Sequence, residues 1–135
     1  MSVKKIDYET ILQFLFQSWS IQSSSKWSED NPAKGQCGVT ALVINDIFGG
    51  EILKTMLPDG WHFYNTIDGK RYDLTKSQFC EGINYQDILS NREEAFSDTN
   101  QNQYNYLKQS VERLLPDSEK SNLSKHGNVN FFISK

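Results

Sequence analysis

The sequence predicts an α+β fold in which a helix bearing Cys37 at its N-terminus packs on an antiparallel sheet of four or more strands. Three observations carry this. Val39, Leu42, Val43, Ile47 and Phe48 recur at helical spacing between a polar, glycine-containing loop and the pair Gly49-Gly50. Two aromatic and β-branched runs, Trp61 to Ile67 and Lys70 to Thr75, flank Asp68-Gly69, a two-residue hairpin signal. The strand patterns follow one another through short connections, which favours antiparallel pairing over crossovers.

The elements follow in order. Ile11, Leu12, Leu15, Phe16 and Trp19 form one stripe of a helix from Asp7 to Trp19, with Asp7 suited to cap it. Gln22 to Ser28 is a serine-rich loop interrupted by Trp27. Asn31-Pro32 and Gly35 lead into the Cys37 helix of about three turns, which Gly49 stops. Glu51 to Leu57 reads as a strand joined to the hairpin by Pro58-Asp59-Gly60. Tyr85 to Leu89 reads as helical and Ser97 to Gln103 as loop. A helix through Tyr104, Leu107, Val111, Leu114 and Leu115 ends before Pro116. Asp117 to Gly127 reads as a loop, and Asn128 to Ser134 alternates as a final strand expected to join the sheet.

At 135 residues the chain is expected to be one domain, residues 1–135, with a core that needs no disulfides. Hydrophobic residues make up 37% and aromatics 13%, so the core is expected to be rich in aromatics. A net charge of −3 with both signs mixed along the chain argues against nucleic-acid binding. Lys4-Lys5 and the short apolar run after Asp7 and Glu9 make a poor signal peptide, and no stretch approaches the roughly 20 apolar residues that span a bilayer. Two distant cysteines fit free thiols. The expected location is cytoplasmic, without membrane association. No sequence feature points to an oligomeric state.

The chemistry gathers at Cys37, His62 and Asp73. Unpaired N–H groups at a helix N-terminus favour an anion, so Cys37 is expected to have a lowered pKa and to label before Cys80. The alternative is a core cysteine, since cysteine is often buried. With Asp68-Gly69 as the turn, Ile67 faces Lys70, Tyr64 faces Asp73 and His62 faces Thr75. His62 and Asp73 then lie diagonally on one face, about 7–8 Å apart at the backbone and within reach of one another. Trp61, Phe63, Ile67, Tyr72 and Leu74 form the apolar face, expected to pack on a hydrophobic layer. A helix covering that face must bring its first turn round to the His62 side. Cys37 would be nucleophile, His62 base and Asp73 orienter. The Cys37 backbone N–H and the amide of Gln36 or Asn31 are candidate oxyanion donors. Trp27 and Tyr64 are candidate substrate contacts, and the substrate class is a peptide, amide, isopeptide or thioester.

The segments NPAKGQCGVTALVINDIFGGEIL and DGKRYDLTKSQF, with the aromatic strand ending in Asn65 between them, resemble the YunG-like family of small uncharacterised bacterial proteins. The resemblance is densest at Asn31-Pro32-Ala33, Gly35-Gln36-Cys37, Thr40-Ala41-Leu42, Gly49-Gly50, Asp73-Leu74-Thr75 and Gln78-Phe79, and covers about the middle third of the chain. The order cysteine, strand histidine, aspartate is similar to that of papain-like and transglutaminase-like enzymes. That similarity implies a papain-like, cysteine proteinase-like core and a Cys37-His62-Asp73 triad, with no cofactor.

Two rival readings use the same residues. Cys37, His62, Asp73 and Cys80 offer metal-ligand chemistry, but without the close spacing of a zinc knuckle, so no metal is expected. A non-catalytic small-ligand or protein-binding module could line its pocket with Trp27, Trp61 and Tyr64. His126 reads as a solvated histidine and Cys80, beside Phe79, as a core residue.

Overall fold

A computed structural model of the chain describes residues 7–116. The strand expected at Asn128 to Ser134, the loop before it and His126 lie outside the described residues.

Helix α1 spans Tyr8–Ser18, and Asp7 caps it by accepting the Thr10 N–H at 2.9 Å. Helix α2 spans Cys37–Phe48 and ends at Gly49. Strands β1 (Glu51–Leu57), β2 (Gly60–Ile67) and β3 (Lys70–Tyr72) follow, then a 3-10 turn at Lys76–Gln78. A short strand β4 (Ile88–Leu89) precedes helices α3 (Arg92–Phe96) and α4 (Gln101–Leu114). The sheet is antiparallel throughout, in the order β3-β2-β1-β4. The α+β class and an antiparallel sheet of four strands are as the sequence predicts, but the fourth strand is Ile88–Leu89, which the sequence reads as helical.

The hairpin register is also as expected: Ile67 pairs with Lys70, Thr66 with Arg71 and Asn65 with Tyr72. Asp68 and Gly69 both have positive φ, 52° and 80°, as a turn with the right-handed twist of the strands requires. β3 is shorter than the predicted run. It ends at Tyr72, because the Asp73 carboxylate turns back to accept the Thr75 N–H at 3.3 Å.

The central element is α2, buried along almost its whole length. Val39, Val43, Ile44 and Ile47 pack against Ile11, Leu15 and Trp19 of the α1 region and Leu107, Val111 and Leu115 of the α4 region. Cys37, Ala41 and Leu42 pack against Ile52, Phe63 and Ala95 on the sheet side. Asn65 pins α2 to β2 through a buried 3.0 Å hydrogen bond from its amide to the Ala41 carbonyl.

Two expectations are corrected. Tyr85 to Leu89 is not helical: Asp87 takes a positive φ of 53°, the Gln86 and Asp87 N–H groups bond to Thr55 and Tyr64, and Ile88–Leu89 pairs with β1. The loop expected at Ser97 to Gln103 is cut short: Asn100 caps α4 through the Gln103 N–H at 2.9 Å, so the helix begins at Gln101. α3 matches no element of the sequence reading; Asn91 caps it in the same way. No helix among the described residues is long and apolar enough to cross a membrane.

Leu107 joins α4 to α2 with no exposed surface. Leu107→Ala is expected to cost about 2–5 kcal/mol of unfolding free energy in urea titrations. Ile21→Ala, at a 57% exposed position, is expected to cost less than about 0.5 kcal/mol.

Candidate active site

Opposite residues on β1 and β2 share a face, so the register sorts the sheet into two sides. Phe63 and Asn65 face α2. His62, Tyr64 and Thr55 face the other way, and the segment from Phe79 to Asp87 covers them.

His62 is fixed from three directions. Its Nε2 is 2.7 Å from Asp73 Oδ2, and both side chains are almost wholly buried, at 2% and 3% exposure. Phe79 stands edge-on to the imidazole at 5.0 Å, and Tyr64 stacks at 5.7 Å. The carboxylate selects the tautomer with a proton on Nε2. Nδ1 is left as a bare acceptor, buried and without a hydrogen-bond partner among the described residues. Asp73 is held in turn by the Tyr85 hydroxyl, which donates to the same Oδ2 at 2.8 Å. Burial and the nearby Asp73 charge push the Tyr85 pKa up, so the phenol keeps its proton and remains a donor.

Cys37 is the first residue of α2 and is 8% exposed. The ladder between β2 and β3 stops at Asn65 and Tyr72. Past that point Phe63 of β2 packs against Cys37. The thiol therefore sits at the open margin of β2. This is how a helix on one face of the sheet brings its first residue to the same groove as a histidine on the other face. The groove measures about 650 Å³, and its lining includes Cys37, His62, Trp61, Cys80 and Asp98. The described contacts include no direct Cys37–His62 hydrogen bond. Cys37 Sγ instead donates to Asp98 Oδ2 at 3.5 Å, and the same oxygen accepts the Gly38 N–H at 3.1 Å.

That contact corrects the expectation of a lowered thiol pKa. Burial raises the Cys37 pKa most, the Asp98 charge raises it further, and the Phe63 N–H opposes both without reversing them. The helix end does favour an anion, but Asp98 already occupies that position. Asp98 is itself pushed above the ordinary carboxylate range by desolvation, against the pull of the Gly38 N–H.

The loop before Cys37 and the turn after Asp73 are fastened together by Gln78. Its carbonyl accepts from the Asn31 amide at 3.1 Å, and its side-chain oxygen accepts from the Gly35 N–H at 3.2 Å. Asn31 lines the groove, but this contact engages its amide. Gln36 is turned inward, fully buried, and donates to the Pro32 carbonyl at 3.3 Å, so its side chain does not face the groove as an oxyanion donor would. Trp27 packs against the core beside α1 and α4 rather than on the groove. Tyr64 is 1% exposed and its hydroxyl is spent on Thr55 and Asp87, so it supports the sheet rather than contacting a substrate. Cys80 is exposed and lines the groove, contrary to the core position expected from its neighbour Phe79. Among the described residues no group of three or more His, Cys, Asp or Glu side chains is placed to hold a metal ion.

Sequence reasoning missed Asp98 and Tyr85. Nothing local marks Asp98, which lies about sixty positions from Cys37 in a polar connection. The one available signal was Gly38. A Cβ there would lie 2.6 Å from the Ala95 carbonyl and 2.7 Å from the Asp98 carboxylate, so glycine is what admits the loop.

These features define an α+β protein in which a cysteine and a histidine line one groove and the histidine is paired with a buried aspartate. Residues 7–116 match the family described as YunG protein, and the chain belongs to that family. It is similar to the uncharacterized protein YunG of Bacillus subtilis (strain 168), with 56% identity over 105 residues that cover 78% of this chain and 91% of that protein. No solved structure matches it.

Two outcomes follow from this geometry. In the ligand-free protein at neutral pH, iodoacetamide is expected to alkylate exposed Cys80 before Cys37, read by peptide mass spectrometry. Asp73→Ala strands the His62 and Tyr85 donors, and is expected to cost about 3–5 kcal/mol in denaturant titrations.

Proposed function

We propose that the protein is a cysteine-nucleophile hydrolase or acyltransferase acting on an amide, isopeptide or thioester bond through Cys37, His62 and Asp73. The observation that carries the reading is the state of His62: Nε2 is committed to a buried carboxylate at 2.7 Å, and Nδ1 is buried and unpartnered among the described residues. The large majority of buried polar side-chain atoms are hydrogen-bonded, so an unpartnered imidazole nitrogen beside a groove calls for a role. The placement of a cysteine at a helix N-terminus, beside a sheet that supplies the histidine, supports a papain-like or transglutaminase-like arrangement.

In this mechanism a substrate carbonyl enters the groove beside Cys37. His62 Nδ1 takes the thiol proton as Sγ bonds to the carbonyl carbon, and the carbonyl π pair moves onto oxygen. Asp73 stabilises the imidazolium without taking its proton. Backbone N–H groups of the first turn of α2 face the developing oxyanion. The tetrahedral species collapses, the C–N or C–S bond breaks, and the imidazolium proton passes to the leaving nitrogen or sulfur. Water or an amine, deprotonated by His62, then attacks the thioester formed on Cys37 and releases the acyl group.

A non-catalytic small-ligand or protein-binding module is the second reading. It is favoured by the raised Cys37 pKa and by Trp61, 40% exposed on the groove wall. The two are separated by presenting fluorogenic amides, isopeptides and thioesters and measuring turnover together with intact mass. The expected result is an acyl adduct on Cys37, lost in Cys37→Ala, with turnover falling about 10²–10⁴-fold in His62→Ala. Ligand binding that Cys37→Ala leaves unchanged, with no adduct from any class, would establish the binding module instead.

A further inference from the structure

We propose that Asp98 holds Cys37 in a resting state: its Oδ2 engages the thiol and the Gly38 N–H together, and a substrate carbonyl reaches the sulfur by displacing that carboxylate. The inference rests on the catalytic reading of the same groove and deepens it by adding a fourth residue in contact with the reacting atom.

One oxygen makes both contacts, at 3.5 Å to Sγ and 3.1 Å to the Gly38 nitrogen. It therefore stands where a carbonyl oxygen must come if it is to lie beside the nucleophile and within reach of a first-turn N–H. The placement is built into the fold. Ala95 of α3 is fully buried against Cys37, Ala41 and Leu42, the Asp98 N–H returns to the Ala95 carbonyl at 3.1 Å, and Gly38 lacks the side chain that would push the carboxylate away. Asp98 as a whole is an exposed residue in the α3–α4 connection, which leaves its side chain room to swing outward. Lys26 lines the same groove and attracts the Asp98 charge, which gives the displaced carboxylate a counter-ion. The charged groups acting on the thiol are thus Asp98 from the α3–α4 connection and Asp73 beyond β3, while His62 on β2 and Lys26 act on Asp98 and line the same groove.

No proton moves in the resting state: the thiol keeps its hydrogen and donates it to an ionised carboxylate. Displacement exchanges that acceptor for His62 Nδ1, which then takes the proton as the S–C bond forms. Holding a protonated thiol against a carboxylate keeps the nucleophile out of reach of stray electrophiles until the groove is filled.

The test is the rate of Cys37 alkylation by iodoacetamide between pH 6 and 9, with Cys80 in the same molecule as the reference thiol. Asp98→Asn keeps the shape and removes the charge. Cys37 is expected to alkylate about tenfold or more faster at pH 7, with its profile moved to lower pH and the Cys80 rate unchanged. Asp98→Ser provides the same comparison if the asparagine variant does not fold, judged by near-UV circular dichroism. An unchanged or slower Cys37 rate in a folded variant overturns the proposal; a slower one would make Asp98 a base for the thiol. Adding His62→Ala separates the two readings. A gain that vanishes in the double variant supports both, whereas a gain that survives supports the Asp98 contact and removes His62 as the base.

Discussion

The rest of the structure depends on the burial of α2 from every side. Ten of its twelve residues are buried. A helix with no solvent face needs covering on all sides, so the chain wraps it with α1 and α4 on one side and the sheet on the other. The cost of such a position is visible at Asp46, a carboxylate 1% exposed within the helix. Burial pushes its pKa up, and Arg92 and the Tyr104 hydroxyl answer by bonding it. Arg92 also caps the carbonyl of Leu42 at 3.2 Å, so one guanidinium ties α3 to α2 at two points. The same burial desolvates Cys37 and thereby sets the resting chemistry of the thiol.

The second face of the sheet is closed by side chains rather than by a helix. The segment from Tyr85 to Asp87 lies across it as a strap. Gln86 N–H donates to Thr55 Oγ1 at 2.9 Å, the Asp87 N–H donates to the Tyr64 hydroxyl at 3.0 Å, and that hydroxyl donates to Asp87 Oδ1 at 2.9 Å. Arg71 grips Asp87 with two contacts, at 2.9 and 2.6 Å, and lies over the Tyr85 ring at 4.1 Å. Planar guanidinium geometry suits both duties at once. The strap ends on Asp73 through Tyr85, so the orientation of the imidazole is supported from outside the hairpin that carries it. A hairpin alone would leave the buried pair with one side wet, and the attraction between the two groups would be weaker for it.

Much of this was legible locally. Helix α2 and its glycine stop, the Asp7 cap, the Asp68-Gly69 turn and the pairing of β2 with β3 follow from short-range rules: apolar spacing, capping oxygens, positive φ at a turn and a side-chain period of two. The proximity of His62 and Asp73 belongs to the same class, because a known turn fixes a register and a register fixes which side chains are neighbours. Family membership was legible too, in the glycine, cysteine and aspartate positions of the middle third.

Only the tertiary structure decided the electrostatic state of Cys37. A helix N-terminus read alone favours a thiolate, yet in the folded chain a carboxylate from about sixty residues away takes that favoured place and burial does the rest. The same holds for Tyr85 to Leu89, helical by its own pattern and non-helical in the fold because Thr55, Tyr64 and β1 offer its backbone better partners. It holds for Trp27, Gln36 and Tyr64, whose residue types suited a groove but which the packing turned inward, and for Cys80, which it left exposed. Sequence determines what neighbours along the chain can do to one another. Which distant charge arrives, and how much water it displaces, is set when the layers close around α2.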